Sequence, residues 1–299
     1  MLERRFCSMK GAEFSSKRLL SLQRLSVFAA TLPVGYLLVN LVPWYSVIIT
    51  RSFTIGDSTY QEVDTFKTVA LQVVTTTAGA TLIALVLTAL INWLTRKSAS
   101  CSTSFIVAAA LNGLIWFGDG ISGNHLTFNS PLTMNALVAG RFYGVSNTAF
   151  AFGAVGAMIA LLAWADWLKS RYSLRASLLA VSGVGLLLVI VDAAPFLGAD
   201  FGGALALIPT LGVALVKLSG HSLRPRILVL LGLISAGLLS GVAILEWLLR
   251  RENSTHLGRF GGQLLDGTFL ATIGKKLKAL VGPFIDSNGQ MGLMVLKIV

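Results

Sequence analysis

Residues 69–93 read VALQVVTTTAGATLIALVLTALINW, twenty-five positions without a charge, closed by Lys67 before and Arg96 after. A helix needs roughly 20 mainly apolar residues to cross the hydrocarbon, where the backbone must satisfy its own hydrogen bonds. This stretch meets that demand, and the chain around it repeats the pattern. Its spacing predicts seven spans: Ser26–Ile49, Val69–Trp93, Thr103–Phe117, Ala149–Trp167, Ser177–Phe196, Phe201–Leu218 and Ile227–Leu249. Thr103–Phe117 is short and carries Asn112, and Phe201–Leu218 is short, glycine-rich and interrupted by Pro209. The expected fold class is all-α, a polytopic transmembrane bundle with a possible re-entrant piece at 131–147. The expected division is a basic cytoplasmic segment at 1–25, the bundle at 26–249, and an amphipathic or disordered basic tail at 250–299.

The whole composition agrees. Of 299 residues, 55% are hydrophobic and 12% charged, half the charged share of a soluble domain. Mean hydropathy is +0.76. The net charge of +11 would suit nucleic acid, but the apolar runs give the lysines and arginines another task. Arg4, Arg5, Lys10, Lys17, Arg18 and Arg24 precede the first span. Arg96 and Lys97, then Lys169, Arg171 and Arg175, then Lys217, Arg224 and Arg226 fall in alternate loops. The intervening loops hold only Arg51, Lys67 and Arg141, with Asp57, Glu62, Asp64, Asp119, Asp192 and Asp200. A positive excess marks the cytoplasmic side, so the N-terminus is expected inside. The tail breaks the rule with Arg250, Arg251, Arg259, Lys275, Lys276, Lys278 and Lys297. An eighth span after Lys278, a solvated end or a helix on the membrane surface would each account for it; Leu265, Phe269, Ile273 and Leu277 recur every four residues, as a surface helix requires.

Trp44, Trp93, Trp116, Trp164, Trp167 and Trp247 fall near span ends and read as interfacial anchors. Cys7 and Cys101 fall on the cytoplasmic side and are expected to remain thiols. Gly153 with Ala157, and Gly237 with Gly241, are small residues four apart that let helices approach.

Familiar enzyme signatures are missing: no HExxH, no GxxxxGK[ST], no GxSxG and no CxxC. Neither catalysis by the chain alone nor a cofactor, metal or nucleic-acid partner is expected. The polar residues gather instead at the outer span ends. Asp119 follows the third span in GDG, read as a solvated turn or a ligand. Arg141, Tyr143 and Asn147 lie in GRFYGVSN before the fourth, where the guanidinium between two glycines would grip a phosphate or carboxylate in two-point fashion, or snorkel from a turn. Asp192 and Asp200 flank a charge-free turn; they would hold a metal, act as acid and base, or, for Asp200, cap the sixth helix. Glu246, Arg250, His256 and Arg259 surround the end of the seventh span, with Glu246 and Arg250 expected to pair at four-residue spacing. The candidate ligand-binding set is therefore Asp119, Arg141, Tyr143, Asn147, Asp192, Asp200, His256 and Arg259.

At GRFYGVSNTAF (140–150), GADFGGALALIPTLGVAL (198–215) and THLGRF (255–260) the chain resembles a family of multi-spanning bacterial membrane proteins, actinobacterial in type. The resemblance runs from about Asp119 to Asp266. In that family longer members join the membrane part to a domain similar to alkaline phosphatases or sulfatases, which implies work on the cell envelope; no stretch of these 299 residues is read as such a domain. The expected partners are membrane lipids, anionic or lipid-linked envelope precursors, and an extracytoplasmic protein. The alternatives are a small-solute transporter, with the Pro- and Gly-interrupted fifth and sixth spans broken around a midplane site, and a structural assembly factor.

Overall fold

The computed structural model describes residues 16–43, 48–55, 58–98, 102–128, 130, 144–194, 197–198, 200–251 and 254–285. In chain order the elements are α1 (Ser16–Leu38) with a 3-10 turn at Val39–Leu41, β1 (Thr50–Ile55), β2 (Ser58–Val63), α2 (Thr65–Leu94), α3 (Thr103–Ser122), α4 (Asn147–Arg171), α5 (Leu174–Ala193), α6 (Phe201–Leu218), α7 (Pro225–Arg250), α8 (His256–Asp266) and α9 (Phe269–Ile285). The seven helices α1–α7 are long and apolar enough to cross a membrane. The chain is a multi-pass, essentially all-α membrane protein. It divides into two compact units, Met1–Leu231 and Gly232–Val299. Trp44, Cys7, Cys101, Arg141 and Tyr143 lie outside the described residues, as does the expected re-entrant piece from 131 to 143.

In the first unit, helices pack through small residues, because lipid tails supply no hydrophobic drive and close van der Waals approach must replace it. The buried stripe of α2 is Thr68, Gln72, Thr76, Ala80, Ala84, Thr88 and Ile91, small or hydroxylic except at Gln72 and Ile91. It meets α1, where a side chain at Gly35 would collide with the Ala80 carbonyl. Polar groups inside this seam find partners within it: Thr31 Oγ1 lies 3.2 Å from the Ala84 carbonyl and 3.0 Å from Thr88 Oγ1. The α3–α4 seam is closer still. A Cβ on Gly156 would stand 2.6 Å from the Ala109 carbonyl and 2.8 Å from the Gly113 amide, and one on Gly113 would stand 2.6 Å from the Ala157 amide. Gly153 abuts Trp116, so the expected Gly153/Ala157 approach is present.

Several sequence expectations change. α3 is a full span of 20 residues, because Asp119 and Gly120 continue its buried face beyond Phe117. α6 runs unbroken through Pro209, and α5 ends at Ala193, before Pro195. The broken-helix geometry expected of a transporter is therefore absent from α5 and α6. Trp116 is buried, stacked on Phe152 at 6.2 Å, and is no anchor. Trp93, Trp164 and Trp167 are exposed as anchors should be. Gly237 and Gly241 form no seam: a side chain at either would meet nothing within 4 Å among the described residues.

Between α1 and α2 stands an antiparallel hairpin, β1–β2, which the hydropathy pattern did not foretell. Its register pairs Arg51 with Glu62 and Phe53 with Tyr60, the two rings stacked at 5.7 Å. Asp64 joins it to α2: Asp64 Oδ1 accepts from the Lys67 amide at 3.1 Å, and Asp64 Oδ2 lies 3.4 Å from both the Arg51 and Lys67 side chains. The Lys67 amide first, then the Arg51 and Lys67 side chains, hold the Asp64 carboxyl below its ordinary value.

In the second unit the tail folds back on its span. Glu246 accepts from the Thr255 amide at 3.0 Å and the Thr255 hydroxyl at 2.9 Å, so it braces the turn into α8 instead of pairing with Arg250. Gly258, Gly261 and Gly262 then lie against Glu246, Ala243 and Trp247 of α7. The eighth span weighed after Lys278 falls largely outside the described residues, and α9 on its own makes a poor span. Its 17 residues reach about 26 Å, short of the roughly 30 Å hydrocarbon. Lys275, Lys276 and Lys278 would also fall near mid-depth, at about 3 kcal/mol each.

Two measurements check these seams. Gly156→Ala drives a methyl into backbone and should lower thermal stability in detergent by about 2 kcal/mol, whereas Gly237→Ala should leave it unchanged or raised by about 0.5–1 kcal/mol. Because the Asp64 pKa is depressed on folding, its stabilisation is complete above the ordinary carboxylate range and fades as pH falls through the folded value. Hydrogen-exchange protection of the first turn of α2 should fall on that acidification, and Asp64→Ala should show the same loss already at pH 7.

Candidate functional site

One end of the first unit collects the polar residues. The 3-10 turn after α1 reaches it through Asn40, whose Nδ2 donates to the Leu126 carbonyl. Ser130 Oγ donates to the Tyr36 carbonyl at 3.2 Å. The loop after α3 is tied to the turn after α5 by Asn124 Nδ2, 3.2 Å from the Leu197 carbonyl. The start of α4 joins the same turn, since the Val145 amide donates to the Gly198 carbonyl at 2.6 Å. The C-terminal ends of α1, α3 and α5 and the N-terminal starts of α4 and α6 thus share one surface.

Asp119 organises this surface. It is buried, not solvated: Oδ1 accepts from the Leu126 amide at 2.8 Å, and Oδ2 accepts from the Thr127 amide at 2.7 Å and the Thr127 hydroxyl at 2.5 Å. The chain turns back far enough to present these donors because Gly123 and Asn124 adopt φ of 101° and 61°, a left-handed pair. Both oxygens are occupied by the protein's own loop.

Asp192 and Asp200 make a different arrangement. Asp192 sits in the last turn of α5 and Asp200 at the N-cap position of α6, and both are at most 3% exposed. The Asp200 carboxylate makes no capping bond to α6. The backbone brings the two together: the Asp200 amide donates to the Asp192 carbonyl at 2.8 Å, and the Gly198 amide to the Val191 carbonyl at 2.8 Å. Their carboxylates converge over Gly203. A Cβ there would stand 2.5 Å from Asp192 Oδ2, 2.7 Å from Asp200 Oδ2 and 2.6 Å from the Phe150 ring. The two oxygens are thus separated by no more than the sum of the first two distances. Any side chain at Gly203 would part them.

Beside Asp192 lies a cavity with room for about one water, lined also by Trp116, Gly120, Val145, Phe150 and Val191. Among the described residues, Trp116 Nε1 and the Oδ1 atoms of Asn112 and Asn124 are buried without a hydrogen-bond partner. Asn112 and Trp116 lie one turn apart on α3, so two such polar atoms lead along that helix toward the cavity. No group of three or more potential metal ligands occurs among the described residues.

Of the other candidates, Asn147 is the exposed first residue of α4, where Ser146 caps the helix by accepting from the Ala149 amide at 3.1 Å. His256 opens α8, and Arg259, exposed, follows on it; both belong to the second unit. The first unit brings together Asp119, Asp192 and Asp200, with Asn147 at the start of the adjoining helix. Reasoning from sequence missed Trp116, Asn124 and Gly203; an Asn after Gly in GISGNH was the one local sign of the left-handed turn.

Searches against protein-family models, the curated proteins and the solved structures return no match to this chain.

Asp119→Ala leaves two buried amides without an acceptor and should cost about 3 kcal/mol of stability, read as a lower melting temperature, while Thr127→Val should cost about 1 kcal/mol.

Proposed function

We propose that this chain is a membrane module that binds the head group of an anionic lipid or lipid-linked envelope precursor at the Asp192–Asp200 end of the first unit. The convergence of two buried carboxylates over Gly203, beside a cavity lined by an indole, carries the reading. Carboxylates in such a place accept hydrogen bonds from the hydroxyl or ammonium groups of a head group, and their burial makes each such bond count for more than it would in water. The phosphate is assigned to Arg141, three residues before Gly144 in sequence, whose fork matches phosphate geometry. The charge asymmetry of the loops supports placing this end outside a bacterial cytoplasmic membrane. Resemblance to envelope-linked membrane proteins supports the substrate class, with an extracytoplasmic protein as the partner that performs the chemistry.

A secondary transporter has weaker support. The acids stand at helix ends and α6 is continuous, whereas midplane sites are built from interrupted helices.

Lipid retained through purification in mild detergent, identified by mass spectrometry, tests the proposal. Arg141→Ala and Asp200→Asn should each lower retention at least about tenfold, the loss of a contact worth about 1.4 kcal/mol. Gly203→Ala should lower it with both acids still present. Glu62→Gln on the hairpin should change nothing. Unaltered retention in folded Arg141→Ala and Asp200→Asn protein refutes the reading.

A further inference from the structure

Helix α9 has no part in the site described above. Along it Leu270, Ile273 and Leu277 recur at intervals of three and four, forming one stripe. They are 65%, 40% and 54% exposed, so nothing among the described residues covers that stripe. Lys275, two residues from both Ile273 and Leu277 and hence on the opposite side of the helix, is exposed, and so is Lys278. The sequence carries the apolar period on to Leu280, Val281 and Phe284.

The position of α9 is set by bonds. Glu246 and the glycines of α8 fasten α8 to the last turns of the span α7. Gly267 then turns the chain at φ 81°, and Asp266 Oδ1 accepts from the Thr268 amide at 3.0 Å and its hydroxyl at 2.7 Å. The Thr272 hydroxyl donates to Gln263 Oε1 at 2.8 Å, joining α9 to α8. An amphipathic helix is thereby tied through α8 to the end of a membrane-spanning helix, with an open apolar stripe, Lys275 on the side opposite it and Lys278 on its flank.

We propose that α9 lies in the interface of the bilayer, its Leu270–Ile273–Leu277 stripe among the acyl chains and Lys275 and Lys278 on anionic phospholipid head groups. Two observations single out lipid as the occupant. The lysines give the charge complement of an anionic surface, within reach of their flexible stems. The tether through α8 places the helix where such a surface is already present. This inference is independent of the Asp192–Asp200 site.

The test uses the full chain with Cys7→Ser and Cys101→Ser, carrying a nitroxide at Leu277→Cys or at Lys275→Cys. Each protein is reconstituted into phosphatidylcholine vesicles with and without phosphatidylglycerol. In anionic vesicles the label at 277 should collide with oxygen, and the label at 275 with a water-soluble nickel chelate, giving a several-fold difference in the collision ratio. Replacing Lys275 and Lys278 with Gln in the 277-labelled protein should move that label toward water, as should high salt. The proposal is overturned if the 277 label is nickel-accessible in every vesicle. A 277 label shielded from both reagents, the mark of a protein partner or second copy, overturns it as well. So does a 275 label as oxygen-rich as the 277 label, or a 277 label indifferent to lipid charge and lysine removal.

Discussion

Hydrocarbon offers no hydrogen bonds, and that one constraint arranges the first unit. A polar atom at depth must find its partner within the protein. Thr31 does so on the Ala84 carbonyl, Thr76 on the Gln72 carbonyl 2.6 Å away in its own helix, and Ser177 on the Ala165 carbonyl at 2.9 Å. Thr31 and Ser177 reach across to a neighbouring helix, which requires backbones close enough for a short side chain to span, and such an approach is made where a residue is little more than backbone. Gly35, Gly113 and Gly156 are the places where the helices nearly touch. The small residues and the hydroxyls are two sides of the same requirement.

The same constraint explains where charge is allowed. No carboxylate lies in the middle of a span of the first unit; Asp119, Asp192 and Asp200 stand where helices end and loops supply donors. Asp119 is consumed by structure, since three donors from Leu126 and Thr127 surround it. Asp192 and Asp200 are instead turned toward each other across a position without a side chain, beside a cavity. Burial is common to all three acids. Arrangement separates the one that builds the loop from the two proposed to meet a ligand.

The spans were legible because a twenty-residue apolar run has one physical use, and α2 departs from the run that announced it by four residues at its start and one at its end. The hairpin was hidden behind that signal. TRSFTI and STYQEV flank Gly56-Asp57, a two-residue turn pair between β-prone stretches, but a window wide enough to find spans averages such a feature away. Trp116 was misread because sequence position along a helix gives depth but not direction; whether an indole meets lipid or a neighbouring helix is decided by Gly153 across the seam. Glu246 was misread for a related reason. Its nearest cation in sequence is one turn away, yet the chain returns at Thr255 with two better aligned donors. The juxtaposition of Asp192 and Asp200 was half legible: eight residues across a turn brought them near, while the role of Gly203 depends on the side to which α6 turns.

Gly203 has a consequence for how this chain can change over generations. A methyl group there is harmful only while both acids face it, and the acids face each other only while the methyl is missing. The three positions are bound into one heritable unit. Lineages that keep the pair should keep the glycine, and those that fill the gap should have surrendered an acid first.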